Sequence, residues 1–114
     1  MLSNHKDKIN PREGSITFKI SNHHLFTPSS DVITVDRFMV KDTEFLIQRE
    51  PNMSLIFQHS SPETGTRISK LDLNEVGQAP KHFLAFTWSD KEVVLYMGID
   101  GGRKIVQGKY QKLT

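Results

Sequence analysis

Two apolar stretches on either side of a short polar segment, residues 82–88 and 93–98, constrain the fold more than any other feature. β-branched and aromatic residues dominate both stretches, and the Ser-Asp-Lys-Glu segment between them is typical of a hairpin loop. One face of the closed hairpin is wholly apolar and the other is mostly apolar. We therefore expect both faces to be covered at least in part, near the middle of a sheet. The predicted pairs are Trp88 with Val93, Phe86 with Leu95, and Leu84 with Met97.

The rest of the chain predicts short strands separated by turn signals about every 8–12 residues, which is typical of a sandwich or barrel. We predict an all-β fold, an antiparallel jelly-roll-like β-sandwich with few or no helices. Residues 1–12 are predicted to be flexible, and residues 13–114 to form a single domain. The other predicted strands are residues 15–20, 32–40 (bent near Asp36), 44–49, 53–58, 66–73 and 103–110 (with a bulge at Gly108), and residues 74–81 are predicted to be a loop.

The hairpin also carries a resemblance to a known superfamily. The run HFLAFTW at residues 82–88, followed by VLY at residues 94–96, resembles the late hairpin of concanavalin A-like (laminin G-like) jelly-roll domains. Residues 11–20, PREGSITFKI, are similar to the first core strand of that superfamily, whereas Met97-Gly98 in the late hairpin replaces its usual Val-Asp. The resemblance implies a shortened jelly roll that binds a sugar or a protein, and some members are glycosidases.

Composition excludes several classes of site. The chain has no cysteine, so disulfides, thiol nucleophiles and thiolate metal sites are excluded. A net charge of +2 is too small to indicate a nucleic-acid partner. No apolar run approaches membrane-spanning length and no signal peptide is recognisable, so we expect no membrane partner and leave the compartment open.

Catalytic and metal-binding patterns are weak. Glycosidases need two facing carboxylates, but Asp72 and Glu75, the nearest pair, point to opposite faces of a strand and are better explained as solvated acids. We therefore predict that the chain is not an enzyme. His23 and His24 are adjacent and cannot chelate one metal together on a strand, so no metal site is predicted. Calcium stays open, because Asp31 and other acids lie on predicted loops, although no motif brings them together.

The leading functional prediction is a non-catalytic, lectin-like binding module for a carbohydrate or protein. Tyr96 is the candidate stacking platform, and His24, Asp31 and Glu63 are candidate contacts from polar loops. Trp88 is expected in the core instead. The alternative is a protein-interaction or oligomerisation domain, because a shortened jelly roll leaves open sheet edges that invite pairing, and we therefore expect a homo-oligomer. A glycoside hydrolase-like enzyme is the least favoured prediction.

Overall fold

The structure is a computed structural model. It describes residues 8–21, 23–27 and 30–114, without the side chains of His23 and His24. Nine strands, one 3-10 turn and one short helix lie within these residues. The strands are β1 (Gly14–Ile20), β2 (Ile33–Val40), β3 (Thr43–Glu50), β4 (Ser54–Ser61), β5 (Gly65–Asp72), β6 (His82–Trp88), β7 (Val93–Ile99), β8 (Ile105–Gln107) and β9 (Lys109–Lys112). The 3-10 turn is His23–Phe26 and the helix, α1, is Leu73–Val76.

The strands form two antiparallel sheets that pack face to face. Sheet A has the order β1-β6-β7-β8 and sheet B the order β2-β3-β4-β5-β9. Aromatic rings meet between the layers, with Phe57 of sheet B 4.7 Å from Phe86 of sheet A and Phe45 5.2 Å from Trp88, measured between ring centroids. The predicted all-β antiparallel sandwich is therefore confirmed.

The predicted hairpin is present with the predicted register. Trp88 pairs with Val93, Phe86 with Leu95 and Leu84 with Met97 in β6 and β7, which are the two central strands of sheet A. All six side chains are buried in the core. The opposite face of the pair is mostly half-buried. Burial of each large apolar side chain stabilises the fold by about 1.5–3 kcal/mol, so this hairpin contributes much of the core.

The predicted last strand, residues 103–110, is wrong. The chain pairs in sheet A as β8, crosses at Gly108, and pairs in sheet B as β9. A Cβ atom on Gly108 would approach the Ser69 side chain and the carbonyls of Lys70 and Leu95 too closely, so only glycine fits the crossing. The Gly108 N–H donates to the Leu95 carbonyl, and the Leu95 N–H donates to Ser69 Oγ, which joins the two sheets.

Two other segments test the predicted boundaries. The bend near Asp36 is confirmed by an irregular register between Thr34 and Asp36. Residues 74–81, predicted to be a loop, begin within α1, which Asp72 caps by accepting a hydrogen bond from the Asn74 N–H. A single helical turn between two strands has too few residues to show a 3.6-residue period, so the sequence pattern missed it.

The predicted flexible segment, residues 1–12, falls only partly on described residues. Ile9 packs against the core, and the Asn10 carbonyl accepts a hydrogen bond of 2.8 Å from Trp88 Nε1. The carbonyl of Pro11 meets the ring of His59, and Arg12 pairs with Glu63. These contacts bring the segment to one end of the sandwich, and its flexibility stays a prediction.

Candidate functional site

Three hairpin turns gather at one end of the sandwich, which we call the turn end. They join β2 to β3 (residues 41–42), β4 to β5 (62–64) and β6 to β7 (89–92). Together with residues 10–12 they enclose a cleft of about 600 Å³, the first cleft. Four separate segments of the chain therefore build one concave site.

Most of the residues that line the first cleft have polar side chains. Its hydroxyl groups belong to Thr43, Ser61 and Thr64, its carboxylates to Asp42, Glu63 and Asp90, and its cations to Arg12 and Lys41. The three acids are exposed, and Glu63 Oε1 accepts a hydrogen bond of 2.8 Å from Arg12 Nη2, with which it forms an ion pair. Such a lining offers many hydrogen bonds in several directions, with both signs of charge, to a ligand that carries hydroxyl groups.

A buried histidine forms part of the wall of the first cleft. His59 is 1% exposed and lies on the inner face of β4, where its ring meets Phe45 edge-on at 5.2 Å. His59 Nε2 lies 2.8 Å from the Pro11 carbonyl oxygen, and Nδ1 lies 3.1 Å from Arg67 Nη2. A guanidinium can only donate, so Nδ1 accepts and Nε2 carries the proton that it donates to Pro11. His59 is therefore neutral in this arrangement.

Burial lowers the pKa of His59, and the positive charge of Arg67 lowers it further, whereas the hydrogen bond to the Pro11 carbonyl acts in the opposite direction. Protonation would place a second N–H against the guanidinium, which has no acceptor to offer. The neutral ring thus fixes both Arg67 and the segment that carries Pro11, and it shapes one wall of the first cleft.

Two arginines are buried on the inner face of sheet B, and neither was predicted. Arg67 on β5 is 2% exposed and donates to the Ser89 carbonyl at 2.6 Å, and its Nε has no acceptor in the described part of the chain. Arg49 on β3 is fully buried at the opposite end, where it donates to the Thr27 carbonyl and to Met53 Sδ. Arg49 lies on the inner face because it follows Phe45 and Ile47 at steps of two residues along β3.

The structure describes the side chains of three of the four predicted site residues, and these three do not converge. Of the three, Glu63 alone lines the first cleft. Asp31 is exposed and precedes β2, whose first residue pairs with Arg49, so it lies at the opposite end. Tyr96 is half-buried on the outer face of sheet A, opposite Ala85. His24 lies in the 3-10 turn, and its side chain is outside the described residues.

The structure also places other residues that the sequence analysis discussed. Trp88 is buried in the core, as expected. His82 is a buried strand-end residue whose Nε2 lies 2.8 Å from the Gly77 carbonyl oxygen. Asp72 and Glu75 are exposed, as expected for solvated acids, but the expectation that both lie on a strand is wrong because Glu75 lies on α1. Among the described residues, no group of three or more His, Asp or Glu side chains is placed to hold a metal ion.

His59 and Arg67 were missed although a signal was present. The alternation of Leu55 and Phe57 on β4 reaches His59 after one more step of two residues. On β5 the same step leads back from Leu71 through Ser69 to Arg67. A histidine and an arginine at inward positions of adjacent strands predict a buried polar pair, provided that the strands are extended to their full length.

The architecture defines the class of this protein as a two-sheet antiparallel β-sandwich with a polar cleft between the turns at one end. Comparison of the chain with protein-family models, curated proteins and solved structures gives no match. Neither of the short helical elements in the described ranges is long and apolar enough to cross a membrane.

Proposed function

We propose that this chain is a non-catalytic, lectin-like binding domain whose ligand is a carbohydrate held in the first cleft. The observation that carries the proposal is the lining of that cleft, in which hydroxyl groups, carboxylates and cations from four chain segments face one space of about 600 Å³. A volume of this size is typical of small-molecule sites, and sugar hydroxyls both donate and accept hydrogen bonds.

Binding is favoured over hydrolysis because of the position of the acids. A glycosidase acid must keep its proton near neutral pH, which requires a buried or otherwise perturbed carboxyl group. Asp42, Glu63 and Asp90 are all exposed on turns. The chain thus presents carboxylates suited to accept hydrogen bonds from a ligand, and we propose no catalytic residue.

A glycan array tests this proposal in the presence and in the absence of calcium. The double variant Asp42→Asn, Glu63→Gln keeps similar side-chain shapes but removes two charges from the cleft, and we expect it to lose the glycans that the native chain binds. Glu75→Gln, an exposed acid on α1 away from the turn end, is the matched control and should retain them. The absence of any bound glycan in both conditions would remove the carbohydrate proposal.

A second candidate function, assembly through a sheet edge, is favoured by the outer strand β2. Among the described strands this eight-residue strand pairs with β3 alone, and Val32 and Met39 beside its outer edge are 53% and 51% exposed. Long unpaired edges with exposed apolar groups pair readily with another chain.

Light scattering tests the assembly directly. If β2 joins two copies, the native chain is a discrete oligomer and the Val32→Lys, Met39→Lys variant is a monomer. Leu113→Lys, which adds a lysine at the opposite edge of sheet B, should leave the oligomer intact. A native chain that stays monomeric at high concentration would eliminate this candidate without affecting the carbohydrate proposal.

A further inference from the structure

Two cations lie directly opposite each other where β5 pairs with β9. Arg67 pairs with Lys112 in the antiparallel register, so both residues belong to the inner face of sheet B. Like charges at directly opposed positions destabilise a sheet. Within the described part of the chain, no carboxylate lies within ion-pair distance of either side chain. This arrangement therefore leaves positive charge without a protein counter-ion at the turn end.

A second pair of cations on the same two strands provides a comparison. Lys70 pairs with Lys109 three residues further along the ladder, and because this number is odd the pair lies on the outer face. There Lys70 has a carboxylate partner, because its Nζ lies 3.5 Å from Glu50 Oε1. The outer pair is exposed, whereas Arg67 is 2% exposed. The uncompensated pair thus contains the buried guanidinium of Arg67 beside the exposed Lys112, and a missing counter-ion costs most at a buried charge.

The unused donors of Arg67 point to the same conclusion. Its described acceptors, the Ser89 carbonyl and His59 Nδ1, are both neutral, and its buried Nε has none. A guanidinium carries five N–H groups in a planar fork that matches carboxylate, sulfate or phosphate oxygens. Arg67 therefore retains donor capacity that nothing in the described residues satisfies.

A cleft of about 400 Å³, the second cleft, opens beside this pair. Arg67, Lys112 and Lys91 line it together with Tyr110, whose hydroxyl is a further donor. Two acids also line it: Glu63, which Arg12 already engages, and the exposed Asp90 of the β6–β7 turn. Three cations against two acids, one of them paired, give this cleft a positive character, unlike the mixed lining of the first cleft.

We propose that the second cleft is an oxyanion site, in which a carboxylate, sulfate or phosphate group binds between Arg67, Lys112 and Lys91. The anion supplies the counter-charge that the opposed cations lack, and its oxygens accept hydrogen bonds from the two lysine ammonium groups and from Arg67. This inference does not rest on what occupies the first cleft, which has a separate lining apart from the shared β4–β5 and β6–β7 turns.

The test is a titration of the ¹⁵N-labelled chain, followed by its amide resonances, with inorganic sulfate, inorganic phosphate and acetate in separate arms. Sodium chloride of equal ionic strength corrects each arm for screening. We expect at least one of the three anions to give saturable shifts centred on the amides of Ser89, Lys91 and Lys112, and the tightest arm identifies the group. Shifts in all three arms that never saturate and that match the chloride control would overturn the proposal.

Variants locate the site without depending on a change of the buried arginine. The exposed double variant Lys91→Gln, Lys112→Gln should fold normally and bind the tightest anion at least about tenfold more weakly, because each lost charged hydrogen bond contributes about that factor. Lys109→Gln, an exposed lysine on the same strand with its side chain on the outer face, should bind as tightly as the native chain. Equal weakening by both variants would show that the anion responds only to net charge, and the proposal would fail.

Discussion

The inner faces of the two sheets differ in chemistry although both are buried in the same sandwich. The central strands of sheet A, β6 and β7, present apolar side chains to the core, apart from the buried His82 at the end of β6. Sheet B presents Phe45, Ile47 and Phe57 at its centre, and its inward positions toward the two ends are Arg49 at one and His59 with Arg67 at the other. Sheet A thus supplies a mainly hydrophobic layer, whereas sheet B adds buried polar groups, of which His59 and Arg67 line the clefts.

The difference depends on whether an inward side chain lies near the middle or near the end of its strand. Positions near the middle are covered on all sides, and a polar group there has no access to backbone acceptors in loops. Positions near the ends lie beneath turns, so Arg67 reaches the Ser89 carbonyl and His59 reaches the Pro11 carbonyl. Carbonyl groups of the turns and loops thus satisfy part of the donor capacity of these buried side chains near the ends of the sheet.

The largest effect is expected in sheet A. Phe86→Ala removes a fully buried ring that packs against Phe57 at 4.7 Å, and it should lower the free energy of unfolding by about 3–5 kcal/mol. Urea denaturation measures the loss. Phe83→Ala, on the half-buried outer face of the same strand, is the control and should cost clearly less. Equal losses would contradict the assignment of the core to the inner face.

Ser69→Ala tests the contact that joins the sheets. Ser69 Oγ accepts a 3.0 Å hydrogen bond from the buried Leu95 N–H, and without it that donor has no partner. We expect the free energy of unfolding to fall by about 1–3 kcal/mol. Ser60→Ala removes a hydroxyl that bonds Thr66 on the outer face of the same sheet, where water replaces it, and the loss should be smaller. A larger loss for Ser60→Ala would indicate that the link between the sheets contributes little.

The pH dependence of stability tests the neutral state of His59. The ring faces Phe45, the Pro11 carbonyl and the Arg67 guanidinium. Its folded pKa lies below the ordinary value of 6.5, so the unfolded chain takes up the proton first. His59 therefore contributes stability that is fully present above pH 6.5 and declines as the pH falls from 6.5 toward the lowered folded pKa.

Urea denaturation across that interval measures this contribution, which is about 1.4 kcal/mol for each unit by which the pKa is lowered. His59→Gln removes the titrating group, so its stability should fall less steeply with acid than that of the native chain. Carboxylates elsewhere titrate equally in both proteins and cancel in the comparison. Identical slopes for the two proteins would exclude a neutral, burial-shifted His59.

The smallest effect is expected on the outer face of sheet B. Arg37 donates two hydrogen bonds to Glu44 Oε2, at 3.0 and 2.9 Å, but its side chain is largely exposed. Arg37→Gln should change the free energy of unfolding by only about 0.2–1 kcal/mol, and salt should reduce the difference. A loss as large as that of Ser69→Ala would mean that the outer face contributes to stability as the inner face does.

The sequence predicted the parts of the fold that depend on local pattern. The β6–β7 register, the inward positions of Phe45, Ile47, Leu55 and Phe57, and the two-layer class all follow from alternation between turns. The sequence predicted one residue of the first cleft, Glu63, whereas the structure places the candidates Asp31 and Tyr96 elsewhere. The lining of a cleft depends on which turns lie together at one end of the sandwich. The spacing of residues along the chain gives little information about which turns these are.

The amino-acid sequence by itself therefore determined the strands, their buried faces and the all-β class, because side-chain alternation acts over neighbouring residues. Only the tertiary structure decided that Gly108 carries the chain from one sheet to the other, that His59 and Arg67 meet, and that Arg67 lies opposite Lys112. Each of these depends on the pairing of strands that are distant in sequence, which long-range packing and backbone hydrogen bonding select together.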